Sequence, residues 1–371
     1  MIIDNESLNK VCQAARQTPL LALDTEFVRT RTYYPRLGLI QLYDGEQISL
    51  IDPLKITEWQ PFINLLQDEA VLKFVHAGSE DLEIFLHQFN ALPVPVIDTQ
   101  ILAAFTGQAQ SIGFAALVEH YTQIVLDKSE ARTDWLERPL TEKQCQYAAA
   151  DVNYLLPVAH QLMKQVEASG WLAAAFDESQ ALCQRRRKIM VPQDAWQDIT
   201  NASQLRPRQL AALRLLAAWR LEQARAEDLA VNFVIREENL WKVARYLPDS
   251  LSELDQLEIP GREIRCYGVQ LLELVFQARA ISSCDLPKPL KNLVDMPGYK
   301  LIYKAIKAQV ATTAAGCGLT PELLASRRQI HQLLSWYWQL KSSNSMPELI
   351  TGWRGDLLKT DLEAILADAR L

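Results

Sequence analysis

Asp24 and Glu26 stand two residues apart in LLALDTEF (20–27), a run that is otherwise mostly apolar. A strand sends residues i and i+2 to the same face, so both carboxylates emerge on one side. Asp81 follows the apolar run VLKFVHA (71–77) and falls in the first turn of the next segment. Tyr147 and Asp151, in QYAAADV, have the i, i+4 spacing that places two side chains on one helix face. The three alanines between them let a bulky surface approach that face. Each feature has a plainer reading. Two acids can sit solvated at a strand end, Asp81 can complement a helix dipole as Glu80 or Glu83 would, and Tyr147 can pack in a core with Asp151 on its rim. Taken together, four carboxylates in one place would repel each other and resist ionising at once. Divalent cations relieve that repulsion. Oxygen donors without a Cys or His cluster favour Mg²⁺ or Mn²⁺ over Zn²⁺.

The surrounding pattern supplies the elements that would position these residues. RLGLIQLYD (36–44) alternates, DGEQ makes a turn and ISLID (48–52) returns, which predicts an antiparallel hairpin after the strand of Asp24. VLKFVHA and PVPVID (93–98) read as further strands. SEDLEIFLHQF (79–89) has helical spacing at Leu82, Phe85, Leu86 and Phe89, with Ser79 as the expected N-cap. TQILAAF and GFAALVEHY are short helices. Residues 141–170 form a long one, opened by a Thr141/Gln144 capping box, closed at Gly170 and with an expected kink at Pro157. Strands followed by alternation with helices predict a mixed-sheet α/β domain over 1–183. QRRRKIMVPQDAWQDITNASQ reads as a linker, 184–205. From 206 the pattern is helical, with a faint internal echo at a period of about 90 residues. Two tandem all-α modules are expected, 206–286 and 287–371, joined near DLPKPLKN.

The 371 residues carry a net charge of −7, which as an average disfavours a protein coated for nucleic acid. The charge is unevenly placed. Residues 1–200 hold 16 Lys/Arg against 26 Asp/Glu, and residues 201–371 hold 22 against 19. Arg206, Arg208, Arg214, Arg220, Arg225, Lys242 and Arg245 cluster in the first module, and Lys300, Lys304 and Lys307 form one helical stripe in the second. These are solvated helix faces or a guide for RNA backbone. Six scattered cysteines without a C-x-x-C pair argue against a zinc site or disulfide framework and fit a reducing cytoplasm. MIIDNESLNK has no signal-peptide pattern, and no apolar run is long enough to span a membrane.

Residues 20–165 resemble the DEDDy exonuclease superfamily, through D-x-E at Asp24 and Glu26, Asp81 after a strand, and Y-x-x-x-D at Tyr147 and Asp151. The strings TEFVR, YYPRLGLIQL, FVHAGSEDLEIF, VIDTQ, LDKSEARTDWLERPLTEKQ and YAAADV are similar, more narrowly, to bacterial ribonuclease D, and the tandem modules resemble HRDC domains. The second module, with GLTPELL and KSSNSM in a longer middle, is the poorer match. The resemblance implies an RNase H-like mixed sheet and a 3′→5′ exoribonuclease. It would use two divalent ions, Mg²⁺ or Mn²⁺, and release 5′-nucleotides. It implies RNA with a single-stranded 3′ end, above all tRNA precursors, as substrate, with a monomer, no organic cofactor and no membrane. Asp24 would bridge both metals, Glu26 and Asp151 would hold the one that activates water, Asp81 would act on the other through coordinated waters, and Tyr147 would orient the nucleophilic water. Two ions about 3.5–4 Å apart suit in-line displacement at a phosphodiester. Secondary contacts are expected from Thr25, through its backbone N–H, and from Phe27 as a wedge on the terminal base. Lys128, Arg132 and Trp135 would meet phosphate and base. His76 and Gln100 border the site, His76 more as structure than as contact. Tyr33, Tyr34 and Arg36 are weaker candidates. A DNA 3′→5′ exonuclease or an inactive RNA-binding adaptor would share the scaffold.

Overall fold

The computed structural model describes residues 1–340 and 345–368; KSSN (341–344), part of the expected longer middle of the second module, lies outside them. The N-terminal part contains, in chain order, α1 (Asn5–Ala15), β1 (Leu20–Val28), β2 (Arg36–Tyr43), β3 (Ile48–Ile51), α2 (Gln60–Leu66), β4 (Leu72–Val75), α3 (Ser79–Phe89), β5 (Val96–Asp98), α4 (Thr99–Phe105), α5 (Phe114–Thr122), α6 (Glu142–Ala168) and α7 (Leu172–Arg187). The strands form one mixed sheet in the order β3-β2-β1-β4-β5. β1 to β3 pair antiparallel, and β4 and β5 join parallel to β1. Along β1, Leu21 and Leu23 enter the core shared with α1 to α3, while Ala22 enters the core shared with α4 to α7. β1 is therefore central in the sheet and covered on both faces.

The hairpin, the strand of Asp24 and the long helix stand as expected. α6 opens on the Thr141/Gln144 capping box and runs on through Pro157; Gly170 follows at φ +79°, as a helix stop requires. Ser79 does not cap α3. Gly78 holds that position, and the Ser79 hydroxyl accepts instead from Arg186 at 2.9 Å. α1 and α2 give little notice in the sequence. α1 buries only Leu8, Cys12 and Ala15, a sparse stripe, and is fixed by Asp4, whose carboxylate accepts from Ser7 N at 2.8 Å.

The C-terminal part is all helical. α8 (Pro207–Ala226), α9 (Val231–Val234), α10 (Glu237–Tyr246), α11 (Leu251–Gln256) and α12 (Gly261–Ala280) share one core; α13 (Tyr299–Cys317), α14 (Pro321–Leu324), α15 (Arg327–Tyr337) and α16 (Gly352–Asp368) share another. The internal echo is physical. In both, a long helix, a four-residue turn of helix, a helix of ten or eleven residues and a final long helix follow in order. The expected linker 184–205 is a packed connection. Residues 184–187 complete α7, and Trp196, Ile199, Ala202 and Leu205 enter the core of the first module.

Both modules dock on the sheet domain. Ala230 N donates to Arg31 O at 2.7 Å, Tyr34 N donates to Asp228 at 3.0 Å, and Arg225 lies over the Tyr33 ring. At the second module Trp353 packs on Phe105 and Trp171 and donates to Glu178 at 3.0 Å. Arg354, only 6% exposed, pairs with Glu178 and donates to Leu323 O and Leu324 O. An Arg354→Ala change would leave two carbonyls without their donor and Glu178 without its charge partner, with Trp353 Nε1 as its remaining donor. We expect a loss of about 3–5 kcal/mol, read in a denaturant melt, with early proteolysis between 280 and 300.

Candidate active site

Three of the five residues singled out in the sequence converge in a tight cluster. The carboxylate oxygens of Asp24, Glu26 and Asp151 lie within 4.8 Å of one another. β1 presents Asp24 and Glu26 on the face that carries Ala22, and α6 crosses that face to bring Asp151. The Tyr147 hydroxyl is hydrogen-bonded to the Asp151 carboxylate, as the i, i+4 spacing allows. A register shift between Glu26 and Phe27 interrupts the pairing of β1 with β2 just beyond the acids, and the pairing resumes with Phe27 opposite Leu37. Together with Thr25, His76, Phe114 and Leu155, these four residues line a cavity of about 220 Å³.

Asp81 arrives from the opposite face of β1 and accepts a hydrogen bond from the Thr25 hydroxyl. Its place depends on Asp98, a buried residue that the sequence alone does not mark. The Asp98 carboxylate accepts from Ala77 N at 2.9 Å, Gly78 N at 3.0 Å and Gln100 N at 2.8 Å. These bonds hold the turn that leads from β4 into α3. Ala77 adopts φ +51°, and a Cβ on Gly78 would meet Val75 Cγ2 at 2.6 Å, so the turn is close-packed and particular in shape.

The electrostatics of the acids are those of like charges taken out of water. Burial first, then Asp81, Asp151 and Glu26, raise Asp24 well above the carboxylate range. Burial, Asp151 and Asp81 push Glu26 up to about 9. Burial lifts Asp151 to about 7, against the lowering effect of the Tyr147 hydroxyl, and lifts Asp81 to about 6 against the Thr25 hydrogen bond. Burial and the surrounding acids raise Tyr147 as well, so it keeps its proton and acts as a donor. His76 is pushed down to about 4 by burial and is neutral. The cavity wall therefore holds no cation to balance the acids. Hard oxygen donors this close, without a countercharge, fit a divalent metal ion, which Asp24, Glu26 and Asp151 could coordinate.

The remaining expected contacts divide. His76 lines the cavity, but both ring nitrogens are engaged. Nε2 donates to Ile112 O at 3.1 Å and Nδ1 lies 3.0 Å from the Thr99 hydroxyl. Gln100 Nε2 donates to the same carbonyl at 2.9 Å. The two residues hold the loop that leads into α5 and set Phe114 against His76. Phe114 and Leu155 reach the cavity without any signal in the sequence beyond their helical pattern. Thr25 is buried in the cavity wall. Phe27 packs into the core beneath the opposite sheet face and does not line the cavity. Trp135 cannot meet a base. It is 1% exposed, packs with Leu39 and Ala148, and its ring backs Tyr147 with centroids 6.1 Å apart. Gly38 permits this packing, since a Cβ there would lie 2.5 Å from Trp135 O. Lys128 and Arg132 are exposed and do not line the cavity.

A family model described as 3′-5′ exonuclease matches residues 1–167. HRDC domain matches 209–275, and ribonuclease D C-terminal HRDC domain matches 297–362. Ribonuclease D of Cronobacter turicensis is 62% identical over 366 residues, covering 99% of both chains. That of Serratia proteamaculans is 60% identical over 366 residues, covering 99% of this chain and 98% of the other. The chain belongs to the ribonuclease D family. The crystal structure of Escherichia coli RNase D, an exoribonuclease involved in structured RNA processing, superposes with a TM-score of 0.97 at 58% identity, covering 99% of this chain and 98% of that one. The ribonuclease D architecture of a mixed-sheet exonuclease domain followed by two HRDC-like domains is thus the one found here.

Two outcomes follow from this geometry. Asp98→Ala would leave the buried Gly78 N–H and the part-buried Ala77 and Gln100 N–H groups without their acceptor, at roughly 1–3 kcal/mol for the first and less for the other two. We expect a lower melting temperature and a metal-dependent activity that falls further than stability alone explains, because Asp81 loses its support. For Glu26 the folded pKa lies above the unfolded one, so its contribution to stability is present at low pH and is lost as pH rises toward about 9. In chelator, Glu26→Gln should therefore melt above the native chain near pH 8, and the gap should close toward about pH 4. Added Mg²⁺ should stabilise the native chain more than the variant.

Proposed function

We infer that the chain is a metal-dependent 3′→5′ exoribonuclease that removes nucleotides one at a time from structured RNA with a single-stranded 3′ tail. The observation that carries this reading is the convergence of Asp24, Glu26 and Asp151 within 4.8 Å at the floor of a small cavity. A cavity of about 220 Å³ is far too small for a duplex, which suits attack at a chain end. Likeness to ribonuclease D at about 60% identity over nearly the whole chain supports RNA over DNA. In this reading tRNA precursors are the principal substrate, and the enzyme works as a cytoplasmic monomer.

The acids would hold two divalent ions, Mg²⁺ or Mn²⁺, with Asp24 shared between them, Glu26 and Asp151 on the first, and Asp81 acting on the second through water. Such ions supply charge neutralisation at the phosphate and a more acidic attacking water. The protein's own groups do the rest. The Tyr147 hydroxyl, kept protonated by its acidic surroundings, orients the attacking water and remains fixed by Asp151 and by the Trp135 ring behind it. Phe114 and Leu155 exclude bulk water from the cavity wall. The helical modules, docked on the loop after β1 and on α7, wall the approach so that a single-stranded end is admitted.

The test is Asp24→Ala and Asp151→Asn on a 3′-tailed tRNA with Mg²⁺. Each should lower kcat by roughly a thousandfold. Native rates in either variant would refute the assignment, and preference for a matched DNA oligonucleotide would favour the DNA exonuclease instead.

A further inference from the structure

The basic run Arg185–Lys188, at the end of α7, takes no part in the cavity of Asp24 and Asp151. It lines a second cleft of about 830 Å³, nearly four times as large. One wall is the outer face of α3, with Glu83, Leu86, His87 and Asn90. The others are Tyr33 and Tyr34, the segment 185–190, and Arg225 from the first helical module. Five cations thus face one carboxylate across a concave surface. Two of them are braces. Arg186 pairs with Glu83 at 3.0 Å and donates to Ser79, and Arg225 donates to Met190 O at 2.8 Å and to the Tyr33 hydroxyl at 3.2 Å. Glu83 is also paired with Arg29, so the lone acid is already balanced. Arg187 and Lys188 are exposed, and among the described residues no carboxylate pairs with them.

A basic helix end is by itself ordinary, because cations there complement the helix dipole. Here Arg225 from the first helical module joins the run Arg185–Lys188, and the cleft adds flat and apolar surface to them. Tyr34 stacks on exposed His87 at 3.9 Å with the rings 4° apart. Ile189 is 71% exposed and Met190 40%. Free cations beside stackable rings suit a phosphodiester backbone with its bases, and low-dielectric walls focus the positive field. The position is apt. His87 lies six residues beyond Asp81 on α3, about 9 Å along the helix axis.

We propose that this cleft is a second RNA site, which holds backbone phosphates of the substrate upstream of its 3′ end, with Arg187 and Lys188 as the free cations. This rests on reading the chain as a nuclease acting on RNA. Arg186 ties the cleft to the first turn of α3, so the RNA body is held on the same helix that carries Asp81.

The experiment compares the full-length chain with an Arg187→Ala/Lys188→Ala variant in Mg²⁺, on a hairpin RNA with a 3′ tail and on a dinucleotide, which has no phosphodiester upstream of its scissile bond. We expect KM for the hairpin to rise roughly tenfold with kcat unchanged, and dinucleotide kinetics to stay as in the native chain. The slope of log affinity against log salt for the hairpin should fall by about 2, and Arg187→Lys with Lys188 retained should behave as the native chain. An unchanged KM and salt slope for the hairpin would overturn the proposal, even if the variant lost binding to phosphatidylserine vesicles. Equal losses on both RNAs would also overturn it, since they would report a damaged catalytic centre. Inactivity of the native chain on both RNAs would instead overturn the nuclease reading, and the cleft's role with it.

Discussion

Like charge crowded on one central strand is the constraint on which the catalytic domain turns. Asp24, Glu26 and Asp151 share a space less than 5 Å across, and Asp81 presses on Asp24 from the other face of the same strand. Nothing in the cavity wall neutralises them. The fold must therefore hold the acids in place against their own repulsion, and several of its details read as answers to that need. The capping box fixes where α6 begins, and so which of its residues face β1. Trp135, buried behind Tyr147, keeps α6 from shifting. Arg138 secures the Trp135 segment by donating to Asp52, to Trp135 O at 2.8 Å and to Gly38 O at 2.6 Å. On the far side Asp98 fixes the turn that delivers Asp81.

The same logic separates the two kinds of basic residue. In the first helical module, most of the clustered arginines that could have guided RNA are structural. Arg220 is 5% exposed and donates to Val231 O and Asn232, Arg208 donates to the last carbonyls of α12, and Arg245 donates to Gln204 O. Guanidinium groups serve well here because several donors can cover several helix-end carbonyls at once. Lys300, Lys304 and Lys307 do stay exposed along α13. Local charge at a surface, and not the count of basic residues in a module, decides where RNA could be held.

The sequence by itself determined the elements whose signals are local. Strand alternation, the capping box, the glycine stop and the i, i+4 pair each depend on neighbours within a few residues, so β1 to β3, α3 and α6 were legible, and so was the shared face of Asp24 with Glu26 and of Tyr147 with Asp151. The echo between the two modules was legible for the same reason. Only the tertiary structure decided what depends on distant segments meeting. It placed Asp98 beneath the turn before α3 and brought Phe114 into the cavity. It buried Trp135, turned Phe27 to the opposite face, and packed the apparent linker against the first module. A side chain's type does not reveal whether it will face solvent or a partner a hundred residues away. That is settled by the packing of one element on another, and the packing exists only once the chain has folded.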